Sequence, residues 1–355
     1  MVHCTVAQRL RIKCVQLRKR RNGMPQQAIT ISDVAQALGM SKTTVSRAIS
    51  GKGRVSEETR QKVQDYIQQH NYRPNAVARG LAQNKTYNIA LVISSQFSNF
   101  DLTFVRKSMT AVCEAASQTE YEVLLTIADE YSSTPLRRLL DKGKVDGALL
   151  TSAVEEDPVT DLLRSREVPF VVMGHLTDKS ILQVDNDQVS GCRELTALLL
   201  KMGRRRIALL GGTQRYTVNT SRLRGFEEAH AQEGVPVQKE LVYMDLESVP
   251  SRLAAVEDAL TKEPDCLLCM DDSLSLTVLK YLKGRGIRVP QDIQLASMYD
   301  SEALEESDPS ITAVQFDADK LARTAYQMLL DTINGKSVKN CLELGYQLVI
   351  RRSTL

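Results

Sequence analysis

Tryptophan is absent from the 355-residue chain, and six Phe with eleven Tyr bring aromatic residues to only 5%. Any flat surface for stacking a sugar or a base must therefore be built from tyrosine or phenylalanine. No run of about 18 apolar residues occurs, so no membrane-spanning helix is readable. The first stretch also lacks the apolar core of a secretory signal. The seven cysteines follow no framework spacing, which excludes a disulfide scaffold and fits small buried thiols in a reducing compartment. The four histidines, His3, His70, His175 and His230, form no metal or catalytic pattern. Gly211-Gly212 lacks the rest of a G-x-G-x-x-G fingerprint, so a dinucleotide site is not expected. Cys266 and Cys269 have C-x-x-C spacing but no second pair, and they lie in an apolar run where burial in a strand is expected. No cofactor and no metal are expected, and the chain should be cytoplasmic.

What is present is ordinary for a globular protein, 43% hydrophobic and 25% charged. At roughly 100–200 residues per domain, the length predicts two or three domains. The net charge of +3 hides a division. Residues 1–87 carry 16 Lys and Arg against four acids, Asp33, Glu57, Glu58 and Asp65, whereas residues 88–355 carry 30 against 39. A basic head suited to nucleic acid precedes an acidic body, although a solvated basic tail would carry the same charge. Residues 1–23 hold seven basic residues, no acid and no helical or strand period. They are expected to be a disordered basic arm, or upstream sequence before a start at Met24.

Thr30 with Asp33 three residues on reads as a capping box, and Ile31, Val34, Ala35 and Leu38 then share one helical face that Gly39 ends. Ser41 opens a second helix in which Val45, Ala48 and Ile49 turn inward while Lys42, Thr43, Ser46 and Arg47 turn outward, before the breakers Gly51 and Gly53. Ser56 starts a third, with Glu57 and Glu58 at its positive end and Val63, Tyr66 and Ile67 on its apolar face, until Asn71 and Pro74. This pattern fits a helix-turn-helix whose second helix enters a major groove. Lys42 and Arg47 would donate to guanine O6 and N7, and Thr43 would offer its hydroxyl or methyl. A small helical bundle with solvated charge would show the same pattern.

Residues 29–82 closely resemble the DNA-binding head and hinge of the lactose/galactose repressor family of bacterial transcription regulators. The resemblance is carried by D-V-A at Asp33, T-V-S-R ending at Arg47, V-S-x-x-T-R from Val55, N-Y-x-P from Asn71 and N-x-x-A-R-x-L ending at Leu81. It implies that Lys42, Thr43 and Arg47 hold base-reading positions. It further implies that residues 75–83 form a hinge helix with Asn75 and Ala78 at the DNA and Leu81 as a wedge in the minor groove. A helix this short, weakened by Gly80, falls below the roughly 12–15 residues that hold in water, so it should fold only on DNA.

Beyond Tyr87, apolar runs at 89–93, 121–127, 145–150, 169–173, 206–210, 266–270 and 293–297 alternate with amphipathic segments, the pattern of parallel sheets with crossover helices. About eleven strands exceed one small sheet, so the expected class is α/β, with two doubly wound parallel-sheet subdomains flanking a cleft. Ligands in such folds sit beyond the carboxyl ends of strands. That rule gathers 94–104, 185–188, 211–222, Asp271-Asp272 and Asp300 around one site. The resemblance extends over the body through V-D-G at 145–147, V-D-N at 184–186, R-L-R-G-F at 222–226, G-I-R-V-P-Q-D-I at 286–293 and I-R-R-S at 350–353. It implies a periplasmic-binding-protein-like body that dimerises and holds a small effector at Asp185, Arg222, Asp271 and Asp300, with Asn99 and Phe100 nearby.

The sequence departs from the family pattern at three places. Asp271 stands where Asn is frequent, Asn99-Phe100-Asp101 replaces an N-P-F-like loop, and Met298-Tyr299 replaces Gly-Tyr or Gly-Phe. Three carboxylates and one guanidinium suit a neutral polyol, so a sugar is the first expectation. A stacked nucleobase is the second, and Phe100, Tyr216 or Phe316 would cover the flat face in either case. The expected division is a basic extension at 1–23, the head at 24–74, hinge and linker at 75–87 and the body at 88–355. Within the body, 88–186 would join 318–343, and 187–317 would join 344–355. The chain is expected to be a repressor rather than an enzyme, a homodimer on a palindromic operator under effector control. Two other classes fit: a soluble sugar-binding protein whose head has lost DNA affinity, and an enzyme acting on the same ligand.

Overall fold

The computed structural model describes residues 29–51, 53–70, 72, 80, 83–94, 103–129 and 131–355. The extension 1–23 and Met24 lie outside the described residues, as do Asn75, Ala78 and Leu81 of the hinge and Asn99 and Phe100 of the body. The chain forms two units, Met1–Lys85 and Thr86–Leu355.

The head contains α1 (Ile31–Leu38), α2 (Lys42–Ser50) and α3 (Glu57–Gln69). Each begins on a hydroxyl cap. Thr30 and Asp33 form a reciprocal capping box, with Thr30 N donating to Asp33 Oδ2 at 2.8 Å. Ser41 Oγ accepts from Thr44 N at 3.1 Å, and Ser56 Oγ from Thr59 N at 3.2 Å. Gly39, at φ +62°, closes α1 in the left-handed conformation that makes the tight turn into α2. Val34, Ala35, Val45, Ala48 and Val63 are buried together, joined by Tyr72 beyond the end of α3.

In the body, the first sheet comprises β1 (Asn88–Ile93), β2 (Glu122–Ile127), β3 (Gly147–Leu150), β4 (Phe170–Met173), β5 (Gln183–Asn186) and β11 (Cys341–Leu344). The second comprises β6 (Ile207–Leu210), β7 (Val242–Tyr243), β8 (Cys266–Cys269), β9 (Gln294–Ser297), β10 (Thr312–Phe316) and β12 (Tyr346–Val349). The orders are β11-β5-β4-β3-β1-β2 and β12-β10-β9-β8-β6-β7. All pairings are parallel except β10 with β12, which is antiparallel. The second sheet is therefore mixed rather than purely parallel. The reason lies in the connection: β11 ends at Leu344, and the chain passes through Gly345 directly into β12. Both sheets turn their carboxyl ends toward the same cleft, so a strand that starts at the cleft must run against its neighbours.

Helices cover both faces of each sheet. On the first sheet, α4 (Thr103–Ser117) lies on one face and α5 (Thr134–Asp141) with α6 (Pro158–Ser165) on the other. On the second, α7 (Gln188–Lys201) and α8 (Thr217–Gln232) face α9 (Val249–Thr261), α10 (Asp272–Gly284) and the short α11 (Glu302–Glu306) across the strands. The last helix, α12 (Ala318–Ile333), crosses back to pack beside α4. Burial on two faces explains why the strands read as continuous apolar runs. It also separates the cysteine pair, because residues three apart in a strand point to opposite faces. Cys266 belongs to the α7–α8 side and Cys269 to the α10 side, and burial pushes both thiols up.

Gly225 is required by the crossing of α7 and α8. A Cβ there would lie 2.4 Å from the Val189 carbonyl oxygen and 3.0 Å from Arg193 N. In a helix interior Gly→Ala usually stabilises. Here Gly225→Ala should instead lower the stability of the body by about 1–3 kcal/mol, because backbone must move to admit the methyl. A urea midpoint lowered at constant slope is the expected readout, and an unchanged or raised midpoint would contradict the crossing geometry.

Candidate functional site

Two surfaces carry chemistry, one in each unit. On α2, Val45 and Ala48 are buried while Lys42, Thr43, Ser46 and Arg47 are exposed. Positions i, i+1, i+4 and i+5 share one face of a helix, so these four polar side chains form one outward stripe. The loop beyond the helix steers the last of them. Gly53 has φ +89°, and a Cβ there would sit 3.1 Å from Arg47 Cδ, so the glycine leaves the passage that the arginine stem occupies.

In the body, the site gathers at the carboxyl ends of both sheets. Arg222, on α8 and 6% exposed, donates from Nε to Gln188 Oε1 at 3.0 Å and from Nη1 to the Met270 carbonyl. Its guanidinium carbon stands 5.6 Å from the centre of the Tyr299 ring, within cation–π range. Asp185, in β5 of the first sheet, accepts from Asn186 N at 2.7 Å. Desolvation pushes its carboxyl up to about 7, against the pull of Gln188 and Arg222. Asp271 caps α10, its Oδ1 accepting from Leu274 N at 2.7 Å, and burial raises its carboxyl as well.

Contacts from the two subdomains close over this cluster. Thr103 Oγ1, at the start of α4, donates to the buried Asp272 Oδ2 at 2.6 Å. Ser94 Oγ lies 2.9 Å from Tyr216 Oη, and Thr217 N donates to Ala153 O at 3.1 Å. The segments that follow β1, β3, β6 and β8 thus meet, and the strand-end rule had gathered all of them except Ala153.

Asp300 is placed differently from the other predicted residues. Its carboxylate takes both Nη1 and Nη2 of Arg351, at 2.7 and 2.9 Å. With side chains 3% and 10% exposed, this is a buried, bidentate ion pair. Arg351 also donates to Ile311 O at 2.8 Å, fixing the last residues of the chain to the loop after β9. Of the described effector candidates, only Asp300 lines a cavity of about 590 Å³ walled by Ser301, Gln315, Phe316 and Tyr346. Sequence reasoning missed Gln188, Tyr299 and Arg351 as partners. The I-R-R-S ending held a signal for the last, since it sets a basic pair directly after an apolar strand. Phe316 lies between Tyr299 and Tyr346, with ring centres 6.4 and 6.3 Å away. Among the described residues no group of three or more His, Cys, Asp or Glu is placed to hold a metal.

The raised carboxyl of Asp185 has a consequence for stability. Folded Asp185 keeps its proton to about pH 7, whereas an unfolded aspartic acid loses it near 4. Between those values the folded state binds the extra proton, so stability falls as pH rises through the window. Asp185→Asn removes this dependence. The stability of the variant relative to wild type should therefore widen in its favour from pH 5 to pH 8, as measured by urea denaturation, and a gap that stays constant would contradict the shift.

Comparison with known proteins covers both units. The family profile "Bacterial regulatory proteins, lacI family" matches residues 30–75, and the "Periplasmic binding protein-like domain" profile matches 196–354. The HTH-type transcriptional regulator CelR of Thermobifida fusca is 31% identical over 332 residues, covering 91% of this chain and 98% of its own. MalR of Staphylococcus xylosus is 28% identical over 332 residues, at 92% and 98%. The solved CelR–cellobiose complex aligns with a TM-score of 0.69 at 30% identity, over 92% of this chain and 99% of that one. At 24% identity, the lac repressor dimer bound to operator and the anti-inducer ONPF shares the fold, with a TM-score of 0.78 over 93% and 100%. No helix among the described residues is long and apolar enough to cross a membrane. A capped three-helix head with an exposed polar face on its second helix, joined to a two-sheet body of the periplasmic-binding type, is thus matched along nearly its whole length, and the chain belongs to the LacI family of DNA-binding transcriptional regulators, not to any family of enzymes.

Proposed function

We propose that this regulator is a cytoplasmic repressor that binds a palindromic operator as a homodimer, and that a sugar held between the two sheets sets its operator affinity. The observation that carries the proposal is the exposed stripe of Lys42, Thr43, Ser46 and Arg47 opposite buried Val45 and Ala48. Such a helix offers donors at the spacing of base edges while its other face is committed to the head's core. Asn75 and Ala78 extend the DNA contact, and Leu81 is the wedge at the operator centre. A second copy fits the edge of the first sheet, where Leu125 and Ile127 of β2 remain 47% and 37% exposed. An apolar edge strand of this kind needs cover in solution.

For the effector, Arg222 supplies forked donors, Asp185 and Asp271 accept hydroxyl protons, and the Tyr299–Phe316 wall takes an apolar sugar face. Asn99 and Phe100, outside the described residues, stay effector candidates on the resemblance alone, and Asp300 acts from its paired position with Arg351. The CelR structure was solved with cellobiose, which makes cellobiose the first probe, followed by other sugars and then nucleobases.

Selection of duplexes from a random pool should return a palindrome with half-sites about one helical turn apart. Recovery of no preferred sequence, or of a single half-site bound by monomer, would contradict the operator reading. Arg47→Ala should cost about 1–3 kcal/mol on the selected site and relax one base position per half-site. Equal losses on selected and random duplex would instead make Arg47 a phosphate contact.

Arg222→Ala leaves Gln188 Oε1 and Met270 O without their donor in a buried site. It should abolish the response of operator binding to the effector while the effector-free dimer still shifts the operator. A wild-type response in that variant would move the effector elsewhere.

A further inference from the structure

We propose that Asp146 is a positioning residue that fixes the point and direction in which the linker to the DNA-binding head leaves the body. The proposal rests on the operator-reading function above and assigns to Asp146 a part in it, although Asp146 belongs to neither set of candidate residues. Asp146 directly precedes β3 and is half-buried. Its Oδ1 accepts from both Thr86 N and Thr86 Oγ1 at 2.7 Å, and its Oδ2 accepts from Tyr87 N at 2.9 Å. One carboxylate thus takes three donors from the first two residues of the body.

The hold continues beyond those bonds. Thr86 Oγ1 accepts from Asn88 N at 3.2 Å, Asp146 N donates to Asn88 O at 2.8 Å, and Glu122 N donates to Tyr87 O at 2.8 Å. Tyr87 has φ +55°, a left-handed conformation that a bulky residue rarely adopts unless its surroundings enforce it. Here the enforcing group is identifiable, since Asp146 Oδ2 holds its N–H while the ring packs 5.5 Å from that of Tyr121. A parallel strand can begin on ladder bonds alone. What the carboxylate adds is a set direction for the residue that precedes the strand.

The position on β3 matters too. This four-residue strand lies between β1 and β4 in the middle of the first sheet. Its amino end carries Asp146. Shortly beyond its carboxyl end, Ala153 O accepts from Thr217 N at 3.1 Å, and Val154 bridges to Tyr216 of the second subdomain. The linker anchor and a contact across the cleft therefore sit at opposite ends of one buried strand.

The test uses the full chain, the duplex that wild type selects from a random pool, and a random-sequence duplex of equal length. Asp146→Ala removes the acceptor, Thr86→Val removes the hydroxyl donor at constant shape, and Thr86→Ser restores it. The ratio of selected to random affinity should fall by about tenfold or more in Asp146→Ala, as expected for losing bonds to a charged group. It should fall by less in Thr86→Val and match wild type in Thr86→Ser, with random-duplex affinity unchanged throughout. Tryptic cleavage after Lys85 should be faster in Asp146→Ala and Thr86→Val only. A ratio held within about twofold in both of those variants, an equal loss on both duplexes, or a Thr86→Ser variant that behaves like Thr86→Val would overturn the proposal. If wild type selected no duplex, the operator reading itself would fall. The tryptic comparison would then decide the anchor alone, with unchanged cleavage refuting it.

Discussion

A buried guanidinium brings five N–H donors and a positive charge into a place where water cannot answer them. In the body of this protein that group is Arg222, and the cleft is arranged around it. Gln188 and the Met270 carbonyl take two of its donors, and Tyr299 offers a π face. Asp185 and Asp271 stand close enough for its charge to draw their carboxyls down, yet desolvation prevails and holds both up. The result is a cluster of donors beside two carboxyls that burial holds above their ordinary range.

That arrangement is possible because two sheets present their carboxyl ends to one another. Residues after β1, β3 and β5 come from one side, and residues after β6, β8 and β9 from the other, so no long excursion of chain is needed to bring them together. The same constraint dictates the exception. A chain crossing from β11 to β12 through Gly345 enters the second sheet from its cleft end, and antiparallel pairing with β10 is the only direction open to it. The C-terminal residues that follow are then close enough for Arg351 to clamp Asp300. Contacts at Thr103–Asp272 and Ser94–Tyr216 tie the two subdomains together at the cleft.

Much of this was legible in the residues. The head's three hydroxyl caps, its glycine turn and the exposed stripe on α2 follow from local rules, because a helix of this size has few ways to bury Val45 and Ala48 without exposing Lys42, Thr43, Ser46 and Arg47. Seven of the strands announce themselves as apolar runs. The other five do not, for physical reasons: β7 is two residues long, β5 carries Gln, Asp and Asn because it ends at the cleft, β10 is interrupted by the exposed Gln315, and β11 and β12 are only partly buried. Tyr72 as a member of the head's core and Arg351 as the partner of Asp300 were not readable as contacts. Each depends on where the chain returns after a turn or a crossing, which periodicity does not encode. The direction of Asp146 toward the linker was invisible for the same reason, although V-D-G marked the place.

If a ligand in the cleft governs operator binding by the head, the two are linked through one protein. Linkage makes the two effects reciprocal, so the factor by which the effector changes operator affinity must equal the factor by which operator changes effector affinity. Titrating the effector by calorimetry with and without the selected operator duplex, beside gel-shift titrations of the duplex with and without effector, measures both factors on the same dimer. Equal factors, different from one, are the predicted result. An effector affinity that is the same on and off the operator would contradict it.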